Sequence, residues 1–155
     1  MTQEDKDLLL KDLCARLDTN LVCSIYRTDD YGVGYRDEIL HGYCKGDIWY
    51  EFYFGEDCGI GIDNVSKIKP YLFPLSSMTE EQFVELKEYT ELLYEHNTLE
   101  LVEWSNTCKT LEFWLEEVPA NVVIKVFDWL NKNHFDYRGL IEKGLAIDAT
   151  GLGIY

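Results

Sequence analysis

A dense group of reactive side chains lies near the carboxyl end of the chain. The stretch "DWLNKNHFDYRGLIEKGLAI" (128–147) places His134, Asp136, Tyr137 and Arg138 within five residues of one another. An imidazole paired with a carboxylate can act as a general base, and it would need a nucleophile such as a cysteine brought close by folding. The stretch therefore raises one enzyme hypothesis, a thiol or acid–base enzyme that uses His134.

The same residues also have ordinary structural roles. A helix that ends near Asn133 would bury Trp129, and Phe135 would also pack inward. Asp136 would cap a short following helix, and Arg138 would reach a carboxylate. Because these roles explain every residue without a reaction, the sequence favours a structural joint between two packed helices and predicts no catalytic residue. The residues of this joint are Trp129, His134, Phe135, Asp136, Tyr137 and Arg138.

A metal site is the second chemical possibility. His41, Cys44 and Cys58 have the spacing H-x₂-C-x₁₃-C, whereas a structural zinc site needs four ligands, usually in two close pairs. The second pair is missing, although Asp57 could contribute, and small thiols buried in a sheet explain the cysteines equally well. We predict no metal and no cofactor, since the sequence also lacks the G-K-S/T phosphate loop, G-x-S-x-G and H-E-x-x-H.

The acidic residues form the sharpest pattern. Residues 79–118 contain eleven Glu and two Lys. Glu81, Glu85 and Glu88 are spaced i, i+4 and i+7, which places them on one face of a predicted helix. Such a face is usually just solvated, but it could also bind a basic partner, or its carboxylates could imitate the phosphates of DNA.

Composition limits the possible partners. The 155 residues suit one domain over 1–155, and a hydrophobic content of 46% supports a real core. With 29 acidic and 14 basic residues the net charge is −15, so we predict that the protein binds neither nucleic acid nor anionic membranes. A basic protein surface would be attracted.

The cysteines and the amino terminus indicate a compartment. The five cysteines are an odd number with no C-x-x-C pair, and the chain begins without a basic segment followed by a long apolar one. Free thiols in a reducing cytoplasm, with no signal peptide and no membrane span, are the expectation.

Periodicity predicts an α+β fold for the first half of the chain. A helix is expected over 3–17, because Thr2 can cap it and leucines follow at helical spacing. The sheet region 20–64 is rich in β-branched and aromatic residues separated by polar turns, which predicts antiparallel strands joined by hairpins. The expected sheet is small and curled, and an SH3-like barrel is one form it could take.

The second half is predicted to be mainly helical. The connector 65–78 contains two prolines, which argue against a helix, and it is expected to pack across the sheet. The helical and hairpin region 79–147 begins at a capping box on Thr79. A hairpin is favoured at 99–115, although each of its two segments could instead join a helix. A third helix from Pro119 and a short C-terminal helix that ends at Gly144 follow. The tail 148–155 is expected to fray. Three main helices and a short one thus flank the sheet.

Three strings resemble a known family. "LLLKDLCARL" (8–17), "KPYLFPLSSMTEE" (69–81) and the 128–147 stretch are similar to segments of an uncharacterised family of small proteins from phages, prophages and mobile elements of gut bacteria. The resemblance implies a mobile-element setting and the cytoplasm of a bacterial host. It transfers no activity, cofactor or site residue.

Three functional hypotheses follow from the sequence. The favoured one is a non-enzymatic, acidic accessory protein of a phage or mobile element that binds another protein. The alternatives are a DNA-mimic inhibitor of a host DNA-binding protein, acting through Glu81, Glu85 and Glu88, and a thiol or acid–base enzyme that uses His134 with a cysteine.

Overall fold

A computed structural model describes most of the chain and divides it into two compact units. Unit 1 comprises Met1–Leu72 and Arg138–Tyr155, and unit 2 comprises Phe73–Tyr137. The single domain predicted over 1–155 stays a prediction. The described residues are 1–29, 32–45, 50–54, 58–90, 98–104, 108–114 and 119–155, with the backbone alone described at 29, 44–45, 50, 58–63, 98–104 and 108–114.

Unit 1 begins with helix α1 (Gln3–Ala15), which has the predicted cap. The Thr2 hydroxyl accepts a hydrogen bond from the Asp5 N–H at 3.1 Å, and the Asp5 carboxylate accepts one from the Thr2 N–H at 2.9 Å. Two donors that a helix start leaves unpaired are thereby satisfied. Leu9 and Leu13 of α1 are fully buried. The helix predicted over 3–17 is confirmed, and it ends two residues earlier than expected.

The predicted antiparallel strands of unit 1 are also confirmed. Each strand pairs with the next in the chain, so the hairpins are those that the polar turns indicated. Alternate residues enter the core in two of these strands, Cys23 and Ile25 in the first and Phe52 and Phe54 in the third. The strands are β1 (Val22–Asp29), β2 (Gly32–Lys45), β3 (Tyr50–Phe54) and β4 (Cys58–Gly61).

The connector prediction was wrong in part. A 3₁₀ turn at 62–67 leads into strand β5 (Ile68–Pro74), which pairs antiparallel with β1, so the segment belongs to the sheet and does not pack across it. Pro70 is tolerated because it lies opposite Cys23, in a pair that does not need its missing N–H.

The end of unit 1 also differs from the prediction. Residues 140–144 form turns, not a regular helix, and Gly144 ends them with φ of +67°. Strand β9 (Ile147–Asp148) then pairs in parallel with β5. The frayed tail expected at 148–155 was wrong, because the Tyr155 hydroxyl donates to the Tyr71 carbonyl at 2.8 Å.

Unit 2 contains two helices and a hairpin. Helix α2 (Glu80–Thr90) follows the predicted capping box, and the hairpin predicted at 99–115 is confirmed as strands β6 (Thr98–Trp104) and β7 (Cys108–Trp114). Helix α3 (Ala120–Lys132) comes next, and strand β8 (Phe135–Asp136) pairs in parallel with Phe73 and Pro74. The sequence also predicts that the second helix ends near Asn97, a position outside the described residues. The core of this unit consists of Met78, Leu86, Val126, Trp129, Leu130 and Phe135.

Both units mix helices and strands, so the α+β class is confirmed. In the described part of the chain, no helix combines the length and the apolar character that crossing a bilayer requires.

Candidate functional site

The exposed side of α2 carries the three glutamates that the sequence singled out. Glu81, Glu85 and Glu88 are all exposed. At 3.6 residues and a rise of about 1.5 Å per residue, they form one row about 10 Å long down the middle of that side. The opposite side of the helix is buried through Leu86 and Thr90. The predicted amphipathic helix therefore turns its carboxylates to solvent.

Two apolar side chains flank this row and were missed at the sequence level. Val84 is 49% exposed and Tyr89 is 47% exposed. Helical geometry places them on opposite sides of the glutamate row. The same 3.6-residue periodicity could have found them, because neither falls on the buried stripe. We name the five residues Glu81, Val84, Glu85, Glu88 and Tyr89 the α2 face.

The one lysine of α2 lies off this face. The Lys87 ammonium is 4.8 Å from the centre of the Phe83 ring, a cation–π geometry on the flank of the helix. The carboxylate row is therefore not neutralised by a cation of its own helix. A partner that approaches the α2 face would meet three negative charges between two apolar contacts.

The position of Glu81 in the first turn of α2 lowers the pKa of its carboxyl. A hydrogen bond from its own backbone N–H, and then one from the Thr79 hydroxyl, lower the pKa of the Glu81 carboxyl. These donors belong to the helix start, where a negative charge is favoured. Glu81 thus stays charged to lower pH than an ordinary glutamate.

Glu85 is the member of the face that is tied to the core. Its carboxylate accepts a hydrogen bond from the indole Nε1 of Trp129 at 3.3 Å. The buried Trp129 ring stacks on Phe135 with 5.7 Å between ring centres and 11° between planes. A bond across 44 residues of sequence gives no local signal, so only the structure reveals it. It restrains Glu85, whereas no such bond to the core is described for Glu81 or Glu88.

Some of the roles predicted for the residues of the joint agree with the structure, and others do not. Trp129 and Phe135 are buried, as the sequence predicted. Asp136, however, lies in β8 and so does not cap a helix, because the chain continues as a strand. His134 is 8% exposed and adopts a left-handed backbone with φ of +59°, and its carbonyl accepts from the Phe73 N–H at 2.8 Å.

Arg138, which belongs to unit 1, reaches a carboxylate of the same unit, as predicted. Its Nε is 3.3 Å from an oxygen of Asp12. Asp12 also pairs with Arg16 of the same helix end at 2.8 Å, and both of those side chains are fully buried. A buried ion pair of this kind is costly to break, because either partner alone would remain a charge without compensation. The cluster therefore has a structural role in unit 1.

The thiols whose side chains are described do not resemble nucleophiles. Burial raises the pKa of the Cys23 thiol well above its usual range, with a further increase from the nearby Asp12 carboxylate. Burial also raises the pKa of the more exposed Cys14. A nucleophilic cysteine needs a lowered pKa, so neither thiol suits the enzyme hypothesis.

The register of the sheet separates two of the three residues considered as metal ligands. Cys58 lies opposite Phe54, which lies opposite Leu40, so Cys58 is level with a residue four positions before Cys44. That offset is about 10 Å or more along the strands, whereas both sulfurs would have to lie about 2.3 Å from one zinc ion. His41 lies at the irregularity of β2, between Leu40 and Gly42. Within the described ranges, no group of three metal-ligating side chains is assembled.

A second exposed apolar row lies in unit 1. Val33 and Tyr35 of β2 are 70% and 67% exposed, and Ile39 continues the same side of the strand. The Tyr35 ring contacts Tyr26 of β1 edge-on, with 5.2 Å between centres. The sequence did not predict this row, because the spacing of residues along one face of a strand does not show which face is buried.

Comparison with known proteins adds no family. No family model, no curated protein and no solved structure matches the chain. The candidate sites therefore depend on geometry alone.

Proposed function

We propose that the protein is a non-enzymatic accessory protein that binds a basic surface of another protein through the α2 face. The observation that carries this proposal is the arrangement of that face, a row of three exposed carboxylates flanked by exposed Val84 and Tyr89. Protein interfaces combine an apolar centre, often with tyrosine, and charges that select the partner. The net charge of −15 favours a basic partner in the same way.

The setting of this function is proposed from the family resemblance. The strings at 8–17, 69–81 and 128–147 support a phage, prophage or mobile-element origin and action in the cytoplasm of a bacterial host. A basic host protein is then the natural class of partner, and neither nucleic acid nor membrane is expected to bind the acidic surface.

A DNA-mimic inhibitor is the second candidate. The row formed by Glu81, Glu85 and Glu88 supports it, because regularly spaced carboxylates could occupy a site that otherwise holds phosphates. The flanking Val84 and Tyr89 favour a general protein interface over phosphate imitation, since a phosphate backbone offers no apolar counterpart. The enzyme hypothesis with His134 ranks third, because the raised pKa values of Cys14 and Cys23 supply no support.

The finer architecture of unit 1 is also a proposal. The meander of β1 to β4, followed by a 3₁₀ turn and a fifth strand that returns to β1, supports an SH3-like arrangement. Such small barrels serve many unrelated functions, so the fold alone selects none.

Affinity capture with a matched charge control tests the binding proposal. The α2 variant Glu81→Gln, Glu85→Gln, Glu88→Gln removes three charges and keeps an amide oxygen for the Trp129 indole. The control variant Glu4→Gln, Asp18→Asn, Glu142→Gln removes three charges from exposed positions of unit 1. A stoichiometric basic protein should copurify with the wild type and the control variant, and the α2 variant should lose it. Retention by the α2 variant would contradict the proposal.

Competition separates the two candidate functions. If the protein imitates DNA, duplex DNA should compete for the partner's DNA site and release the partner from the complex. If the α2 face binds a different surface of the partner, duplex DNA should leave the complex intact.

A further inference from the structure

Strands β1 and β5 separate at one end of their ladder. Their pairs are Ile25–Ile68, Ser24–Lys69 and Cys23–Pro70. Proline has no N–H, so the last pair must be one of the pairs that exchange no hydrogen bonds. The alternation of an antiparallel ladder then makes the next pair, Val22 and Tyr71, one whose N–H and C=O should bond to each other.

A phenol hydroxyl takes the place of that bond. The Tyr155 hydroxyl accepts from the Val22 N–H at 3.2 Å and donates to the Tyr71 carbonyl at 2.8 Å. One side chain thus satisfies the N–H of Val22 on β1 and the carbonyl of Tyr71 on β5. The ladder does not bond these two groups to each other. Burial raises the pKa of the Tyr155 phenol, in keeping with a hydroxyl that stays protonated in this position.

The segment that carries Tyr155 is fixed at two points. Its other anchor is the Ala149 N–H, which donates to the Leu72 carbonyl at 2.9 Å. Between the anchors, Gly151 and Gly153 have φ of +75° and +63°, values that other residues adopt only with strain. The exposed Leu152 lies between these two glycines.

We propose that residues 149–155 form a strap over the seam between β1 and β5, and that the Tyr155 hydroxyl is its latch. When the strap is closed, the hydroxyl bridges the Val22 N–H and the Tyr71 carbonyl. When it opens about the Ala149 anchor, both backbone groups become accessible to solvent.

Amide hydrogen exchange of single residues tests the latch in the full chain. Tyr155→Phe removes the hydroxyl and keeps the ring. It should speed exchange of the Val22 amide by about tenfold, the loss expected for one hydrogen bond, and leave the Ala149 amide unchanged. Gly153→Ala strains the closed strap and should speed exchange at Val22 in the same way. Leu152→Ala, which changes an exposed side chain between the glycines, should leave both amides as in the wild type.

Two results would overturn the proposal. Unchanged exchange at Val22 in Tyr155→Phe would mean that β1 and β5 close on each other without the phenol. An equal acceleration at Val22, Ala149 and the core amides of β1 would mean that the variant lowers the stability of the whole unit and releases no strap.

Discussion

At the scale of single residues, Trp129 connects the core of unit 2 with its candidate binding surface. The ring stacks on Phe135, and the indole N–H holds the Glu85 carboxylate. A large buried aromatic supplies much of the packing of a small core, so Trp129 should matter for both stability and surface order.

Trp129→Ala should lower the free energy of unfolding by about 3–5 kcal/mol, because it leaves a cavity where the stacked ring was. Trp129→Phe should cost less, since it keeps an aromatic ring beside Phe135 and loses only the bond to Glu85. Urea unfolding of both variants measures the two costs. Equal and small losses for the two variants would contradict the packing role of the indole.

The two thiols whose side chains are described should differ in reactivity. A thiol reacts as its thiolate, so a raised pKa lowers the reaction rate at a given pH. As the pH rises, iodoacetamide should label Cys14 progressively, while Cys23 should react only when unit 1 unfolds. Mass spectrometry of the labelled peptides follows both sites. Fast labelling of Cys23 in the folded protein at neutral pH would indicate a reactive thiol and would support the enzyme hypothesis.

At the scale of elements, the amino-terminal cap determines where α2 begins. The Thr79 hydroxyl accepts from the Gln82 N–H at 3.2 Å, and the Gln82 side chain accepts from the Thr79 N–H at 2.9 Å. Thr79→Ala should therefore cost about 1 kcal/mol of unfolding free energy, and Thr79→Asp, which can still cap, should cost much less. Thermal unfolding of the two variants compares them directly. Equal melting temperatures would show that the box does not stabilise the helix.

Local patterns predicted the elements whose causes are local. Capping residues and 3.6-residue periodicity located α1 and α2, and segments rich in β-branched and aromatic residues between polar turns located the strands of unit 1. Strand β5 was missed because Pro70 and Pro74 argue against regular structure unless the pairing of each residue is known. The ordered end of the chain was missed because Tyr155 bonds to Val22 and Tyr71, far away in sequence.

In the candidate site, too, the sequence predicted the features with local causes and missed those that depend on long-range contacts. The exposure of Glu81, Glu85 and Glu88 follows from helical periodicity within a single element. The restraint of Glu85 by Trp129 depends on how α2 and α3 pack, which no local pattern contains. The role of Asp136 was mistaken because the sequence after α3 permits either a cap or a strand, and pairing with Pro74 makes it a strand.

At the scale of the whole molecule, the net charge of −15 should govern association. Attraction between the α2 face and a basic partner is screened by salt, and the Debye length falls from about 10 Å at 0.1 M to about 3 Å at 1 M. Binding should therefore weaken steeply as salt rises, mainly through a slower association rate. Surface plasmon resonance over a salt series with the captured partner measures this. Affinity that is independent of salt would exclude an electrostatic docking role for the glutamates.

Site-specific photo-crosslinking in cells of the proposed bacterial host tests whether the α2 face is the docking surface. A photoreactive amino acid at Val84 stands in the α2 face, and one at Glu142 provides an exposed control position in unit 1. A docking role for the α2 face predicts a crosslink from Val84 to one basic protein. It also predicts that the crosslink is lost when Glu81, Glu85 and Glu88 are changed to Gln and that Glu142 gives none. A partner captured from Glu142 and not from Val84, or a Val84 crosslink that survives the loss of the three charges, would contradict it.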